Sequence, residues 1–385
     1  MDTPKKPNIK LPEGFYLVWN NATQHWAMRP TPGYSATYLK KDSFIPKKKK
    51  EGKPVTNTET AKFTKKGKNA NLHSAKREKN DEFYTRLEDV VAELKHYKEF
   101  FKDKVIYCPC DKAYNLGRSN FFAYFSQMFH ELGIKKVICT QYVPEGRGVV
   151  KEFSGGIRWD YSGEVLGRVP DESEIDTQFL KGNGSFDSEE CKQIMRECDI
   201  VVTNPPFSLF REFVSQIMEL EKQFLIIGSM NAITYKEIFP LIKGNKMWLG
   251  YNTPHDFEVT LNKIEDETKQ YEENGRIYQK FGNICWYTNL RHHKRMNEEL
   301  SLQRYIEGEY PKYDNYDAIN VDKVVDIPNY EGIMGVPITF LFNYNPNQFE
   351  ILGQMANTKV DECNFGYPFI NGERKYARIL IKKLS

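Results

Sequence analysis

The 385-residue chain contains no C-x-x-C pair, and its seven cysteines (Cys108, Cys110, Cys139, Cys191, Cys198, Cys285 and Cys363) come no closer to one than the C-P-C of Cys108 and Cys110. A structural zinc site needs thiolates paired at fixed spacing. No metal is therefore expected, and the cysteines read as reduced core residues of a cytoplasmic protein. Also missing are an apolar run near the roughly 18 residues that cross a bilayer and a charged-then-apolar secretory leader, so no membrane association is expected. Aromatics are not scarce. At 14% they suit a folded chain, and the length allows two or three domains.

A net charge of +3 conceals an uneven distribution. Residues 1–79 hold 18 Lys and Arg against 6 Asp and Glu, which leaves the remaining 306 residues acidic by 9. The run Lys47–Lys50, followed by Lys62, Lys65, Lys66 and Lys68, reads either as a solvated tail or as an arm that gains affinity by displacing counterions from a nucleic-acid backbone. The aromatic stretch from Phe15 to Tyr38 fits a small folded element of unassigned type. Residues 1–70 are accordingly expected to be a basic, flexible N-terminal arm.

Beyond Asn80 strand and helix patterns alternate. Leu87, Val90, Val91, Leu94, Tyr97 and Phe101 mark an amphipathic helix. Lys104–Cys108 reads as a strand, and Ser119 to Leu132 as an aromatic-rich helix capped by Ser119 and closed by Gly133. Lys135–Val143 is a second strand, followed by a long polar, Gly-rich stretch from Pro144 to Gly184. A helix opening at Ser185 or Asp187 leads to the strand Asp199–Thr203. A helix over 208–221, the strand Phe224–Ile227, a helical Tyr235–Ile242 and an extended Met247–Gly250 complete the series. Such alternation implies right-handed crossovers and a mostly parallel, doubly wound α/β sheet. Ligands bind beyond the carboxyl ends of its strands.

At one such end stands Asn204-Pro205-Pro206-Phe207. The prolines lack an N–H and hold φ fixed, so they stop the strand and hold the Asn204 side chain and the Pro205 carbonyl outward as acceptors. A planar exocyclic amine with two N–H donors fits that pair, and Phe207 offers a face for a flat ring. The same residues also fit a proline-stopped strand with an incidental Asn.

The motif resembles the (N/D)-P-P-(Y/F) signature of amino-methyltransferases that use S-adenosylmethionine. More specifically, NLHSAKREKNDEFYTRLEDVVAELKHYKEFF (71–101), RSNFFAYF (118–125), DIVVTNPPFSLFREFV (199–214), AITYKEIFPLIKGNKMWLG (232–250), YPKYDNYDAINVDK (310–323) and MGVPITFL (334–341) are similar to the EcoRI-type adenine-specific DNA methyltransferases. The likeness runs from about Asn71 to the C-terminus. It implies a Rossmann-like, doubly wound sheet, with an S-adenosylmethionine-binding catalytic domain over 71–250. Residues 251–385 would supply the final sheet strands and a target-recognition region.

The resemblance implies sequence-specific methylation of adenine N6 in double-stranded DNA, with the target base flipped out of the helix. Asn204, Pro205, Pro206 and Phe207 would be catalytic. Phe83, Tyr84 and Thr85 would precede the helix packing over the cofactor's methionine part. Cys108 and Asp111 stand where a Gly-rich turn is usual, and Asn120 opens the next helix. Relatives carry an acidic G-D-G-D-F pattern where this chain has Gly182-Asn183-Gly184-Ser185-Phe186-Asp187, which makes Asn183 the residue expected at the cofactor's adenine amine, with Asp187 as its alternate. The basic cluster Arg291–Arg295 is expected to face phosphate, and the tyrosines of 305–316 either pack or touch DNA. A monomer is expected, with no obligate protein partner; a restriction endonuclease acting on the same site is the partner the family suggests. Methylation of RNA or of a protein amide, and a weakly active DNA-binding relative, are the alternatives.

If the arm lies along the DNA backbone, each phosphate it neutralises contributes about −0.9 to the slope of log K against log salt. Deleting residues 1–70 is expected to weaken cognate and non-cognate binding by similar factors and to flatten that slope by several units, measured by fluorescence anisotropy across a salt series. An unchanged slope identifies the lysines as a solvated tail.

Overall fold

The computed structural model describes residues 84–113, 118–143, 155–259, 270–273, 276–358 and 360–384, together with the backbone of 15–20 and 25–30. Most of the basic arm, with its lysine run, lies outside the described residues, as does Phe83. Within the arm β1 (Phe15–Asn20) and β2 (His25–Pro30) form an antiparallel hairpin whose register sets Trp19 opposite Trp26.

The remaining elements, in order, are β3 (Tyr84–Thr85), α1 (Leu87–Leu94), β4 (Val105–Pro109), α2 (Asn120–Gln127), α3 (Phe129–Leu132), β5 (Lys136–Gln141), β6 (Ile157–Tyr161), β7 (Asp176–Phe179), α4 (Glu189–Glu197), β8 (Ile200–Thr203), α5 (Phe210–Glu219), β9 (Gln223–Ser229), α6 (Phe239–Lys243) and β10 (Trp248–Leu249). They continue with β11 (Asp256–Val259), β12 (Gln270–Glu273), β13 (Arg276–Lys280), β14 (Ile284–Thr288), α7 (His293–Asn297), β15 (Ile319–Asn320), β16 (Ile333–Pro337), β17 (Phe349–Met355), β18 (Phe369–Ile370), β19 (Glu373–Arg374) and β20 (Arg378–Lys383).

Eight strands form the main sheet in the order β10-β14-β9-β8-β4-β5-β6-β7. The four central strands β9, β8, β4 and β5 are parallel, whereas β14, β10, β6 and β7 pair antiparallel. The sheet is therefore mixed rather than mostly parallel. Parallel neighbours need a long crossover, usually a helix, and between β6 and β7 there is only a 3-10 turn at Glu172–Glu174, so the chain folds straight back. These two strands lie within the polar, Gly-rich stretch from Pro144 to Gly184.

Successive strand residues alternate between the two faces of the sheet. Ile106, Cys108, Val137, Val202 and Leu225 meet Val90 and Leu94 of α1 and Phe121 and Phe125 of α2 on one face. Tyr107, Val201, Phe224 and Ile226 meet α4, α5 and α6 on the other through Ile194, Phe213, Ile217 and Ile242. The latter cluster continues without a break into Met334, Val336, Phe349, Ile379 and Ile381 of a second sheet, ordered β15-β16-β20-β17.

Local signals set the boundaries. Ser119 caps α2, its Oγ accepting from the Phe121 N–H at 3.1 Å, and Gly133 ends α3 in the left-handed conformation at φ 63°. The helix expected to open at Ser185 or Asp187 starts later, with Ser188 as the cap accepting from the Cys191 N–H. Val91, expected on the buried face of α1, is exposed. Five of the seven cysteines are buried, and all seven are free thiols. Tyr305 packs against Tyr310 and Tyr330, while Tyr313 is buried and donates to Asn320 Oδ1 at 2.7 Å, so these tyrosines serve packing.

Buried Glu93 fixes α1, and with it the strand that enters the site. Its carboxylate accepts from Tyr97 Oη (2.8 Å), from the N–H groups of Tyr251 and Asn252 (2.7 Å each) and from Asn252 Nδ2 (3.1 Å). Burial raises its pKa, and these donors oppose the rise. Glu93→Gln turns one acceptor into a donor facing other donors. A loss of about 1–3 kcal/mol in urea unfolding is expected, the cost of unpaired buried polar groups; an unchanged midpoint would show that the cluster carries no net stability.

Candidate active site

β8 is buried throughout and stops at Thr203, after which Pro205 is buried and Asn204, Pro206 and Phe207 are half-buried. Pro206 has φ −55° and ψ 124°, and a 3-10 turn over Phe207–Leu209 leads into α5. The strand, stop and helix expected from the sequence are present. Phe207 packs against the core formed by α1 and α2.

Three elements converge on Asn204. Its Nδ2 donates to Thr85 Oγ1 at 3.3 Å, and Asn120 Nδ2 donates to the Thr85 carbonyl at 2.7 Å. Thr85 is held from its other side by the pairing of β3 with β11, where it lies opposite Phe257. Asn204, Thr85 and Asn120, separated by up to 119 positions in sequence, thus form one polar group at the carboxyl ends of the central strands.

Beneath that group lies a buried polar cluster. Asp111 Oδ1 accepts from Ser119 Oγ at 2.6 Å, and Oδ2 lies 2.5 Å from Thr203 Oγ1. Thr203 Oγ1 also donates to the Pro109 carbonyl, so its single proton faces two acceptors. A proton on Asp111 resolves the conflict: the carboxyl donates to Thr203, and Thr203 donates to Pro109. Burial pushes the Asp111 pKa up to about 7, opposed by the hydrogen bonds from Ser119 and Thr203. The cluster ties the end of β4, the start of α2 and the last residue of β8 to one another.

The residues expected at the cofactor fall into two groups. Thr85 and Asn120 sit at the rim with Asn204, and Tyr84 adjoins them on β3. Cys108 and Asp111 are inside: the Cys108 thiol is wholly buried beside Cys139, and the Asp111 carboxyl is directed at Ser119 and Thr203. In both residues the functional atoms are turned into the protein. The turn after β4 holds its shape without glycine, Cys110 adopting φ 66°. Asn183 stands farther along the same edge, its carbonyl accepting from the Val143 N–H beyond β5 and its Oδ1 accepting from the Ser185 N–H at 3.0 Å. Asp187 is exposed.

The basic cluster Arg291–Arg295 divides, with Arg291 and His293 exposed and His292 and Arg295 buried. It follows β14, which runs antiparallel to β9, and therefore lies at the opposite edge of the sheet from Asn204. His292 is buried, donates from Nε2 to the Leu249 carbonyl (3.0 Å) and has its pKa lowered by burial to about 4. Arg295 is buried between the rings of Trp248 and Tyr344. Thr203 and Ser119 are the residues whose contribution to the site was least visible beforehand. The available signal was a hydroxyl ending an otherwise aliphatic strand.

Folded Asp111 holds its proton more tightly than an unfolded Asp, which titrates near 4. Its contribution to stability is thus fully present below about pH 4 and is lost as pH rises through about 7. Asp111→Asn keeps an acceptor for Ser119 and a donor for Thr203. The melting temperature of the variant relative to the parent is expected to rise between about pH 5 and about pH 8; a difference that does not vary with pH would show that Asp111 is ionised throughout.

Residues 71–384 match the family described as adenine-specific methyltransferase EcoRI. The chain is 43% identical over 325 residues to the Type II methyltransferase M.EcoRI of Escherichia coli, covering 81% of this chain and 95% of that protein. It is 38% identical over 331 residues to M.MpnI of Mycoplasma pneumoniae and 34% over 331 residues to M.MgeORF184P of Mycoplasma genitalium, each match covering 81% of this chain and 98% of the relative. No solved structure matches it. With the motif at the end of β8 and a family match over nearly all of the chain beyond the arm, the protein belongs to the EcoRI family of adenine-specific DNA methyltransferases.

Proposed function

We propose that the chain transfers a methyl group from S-adenosylmethionine to N6 of an adenine flipped out of duplex DNA, at the carboxyl ends of β8 and β4. The observation that carries the assignment is the Asn204 amide, held by Thr85 Oγ1 between a buried strand and two prolines. Nδ2 is the donor to Thr85, which makes Oδ1 the acceptor end of the amide. The Pro205 carbonyl is the second acceptor.

The lone pair of an aromatic amine is delocalised into the ring and is a poor nucleophile. Two acceptors that take its N–H groups draw the nitrogen toward a tetrahedral shape and aim the lone pair away from the ring plane. No strong base is needed, since the proton becomes acidic as the C–N bond forms and leaves to water. The rate then comes from positioning and from acceptors already in place for the charge that develops on the amine. Phe207 supplies the stacking face for the flipped base, worth about 1–3 kcal/mol.

S-adenosylmethionine would bring an electrophilic sulfonium methyl group. The residues fit it: Tyr84, Thr85 and Asn120 form a polar rim beside Asn204, and the left-handed turn at Cys110 supports the strand end without a Gly-rich loop. Asn183, whose carbonyl accepts from the Val143 N–H beyond β5, would take the adenine amine of the donor.

In a radiolabelled methyl-transfer assay on duplex DNA, Asn204→Ala is expected to lower turnover by about 10²-fold or more while cofactor affinity, measured by calorimetry, changes little. Turnover within a few-fold of the parent would remove Asn204 from the reaction. Equal transfer by the parent to RNA or to protein would overturn the choice of substrate.

A further inference from the structure

The hairpin β18–β19 turns through Asn371 and Gly372, both with positive φ (52° and 75°), the two-residue geometry that matches strand twist. Its tip is braced. The Asn371 and Gly372 N–H groups donate to the two carboxylate oxygens of Asp314 at 3.0 and 2.7 Å, and Ile370 is buried behind it. On this support Arg374 is exposed, and its Cζ lies 3.3 Å from the centroid of the Tyr367 ring. Glu373 pairs with Lys375 at 2.9 Å, and among the described residues no carboxylate pairs with Arg374. Tyr376, two residues on, is 88% exposed.

The hairpin lies toward the reacting edge. It joins β20, whose first residue Arg378 pairs with Met355 at the end of β17. The neighbouring Gln354 Nε2 reaches the Thr234 carbonyl (3.4 Å), in the turn that leaves the carboxyl end of β9 beside β8 and Asn204.

We propose that Arg374 reads a guanine in the DNA target, with the braced hairpin entering the major groove and Tyr376 beside it. The proposal rests on the DNA-methyltransferase reading above. A guanidinium whose face lies on an aromatic ring keeps its N–H donors in the plane pointing outward, and the stack restrains a side chain that would otherwise lose freedom on binding. That fork matches guanine O6 and N7, a pairing worth roughly 10–100-fold in discrimination, and a two-stranded ribbon fits the groove. An unpaired charge on a rigid support is suited to base reading, whereas phosphate contact needs only charge.

The test uses the full-length protein and its target found by methylation-sensitive sequencing of DNA from expressing cells. Arg374→Ala is expected to lower kcat/KM on the cognate duplex by roughly 10–100-fold. It should also make one G·C position of the methylated sequence degenerate, leaving non-cognate affinity and salt slope unchanged. Arg374→Lys, which keeps the charge and loses the fork, is expected to resemble the alanine variant. Rescue by lysine, a uniform loss on all duplexes with the salt slope reduced by about 1, or an unchanged target sequence would each overturn the proposal. Failure of the parent to methylate any duplex DNA would instead refute the underlying activity.

Discussion

A single hydroxyl proton on Thr203 faces both the Pro109 carbonyl and the Asp111 carboxyl, and the site depends on how that conflict is met. A proton on buried Asp111, whose pKa burial raises to about 7, would meet it, and the same carboxyl joins the ends of two adjacent parallel strands to the cap of α2 through Ser119. Asn204 follows Thr203 directly, and Asn120 follows Ser119 directly. The two amides that converge on Thr85 are therefore each one residue from a group gripped by the same carboxyl. The rim is thereby tied to a buried polar cluster in the interior.

Much of this was legible because it is local. Strand cores such as IVVT, the Ser119 cap, the Gly133 stop and the proline-stopped end of β8 follow from residues within a few positions of one another, and all are found in the structure. Asn204 was visible for the same reason. What the sequence did not disclose are properties of distant pairs. The inward direction of Asp111 depends on Thr203, 92 residues away. The burial of Arg295 depends on Trp248 and Tyr344. A run of Arg, His and Lys has the same composition whether it faces phosphate or lies between aromatic rings.

The antiparallel strands β6 and β7 went unread for another reason. The first, IRWDY, alternates apolar and charged residues over only five positions, with Asp160 paired to Arg158 at 2.7 Å, and the second, DTQF, has a single apolar residue. By contrast the Asn371-Gly372 turn was in plain view as a hairpin signal, but the two-residue strands beside it give no periodicity to attach to it.

The apolar cluster that passes from Tyr107 and Phe224 in the main sheet to Val336, Phe349 and Ile381 in the second has a consequence for how such proteins diversify. Where two halves share one core, neither can be exchanged for the corresponding half of a relative without cutting through close-packed side chains. New target sequences must then arise by drift in surface turns, a few residues at a time, while the interior is inherited whole. Lineages of these enzymes should accordingly keep their cores far longer than the sequences they mark.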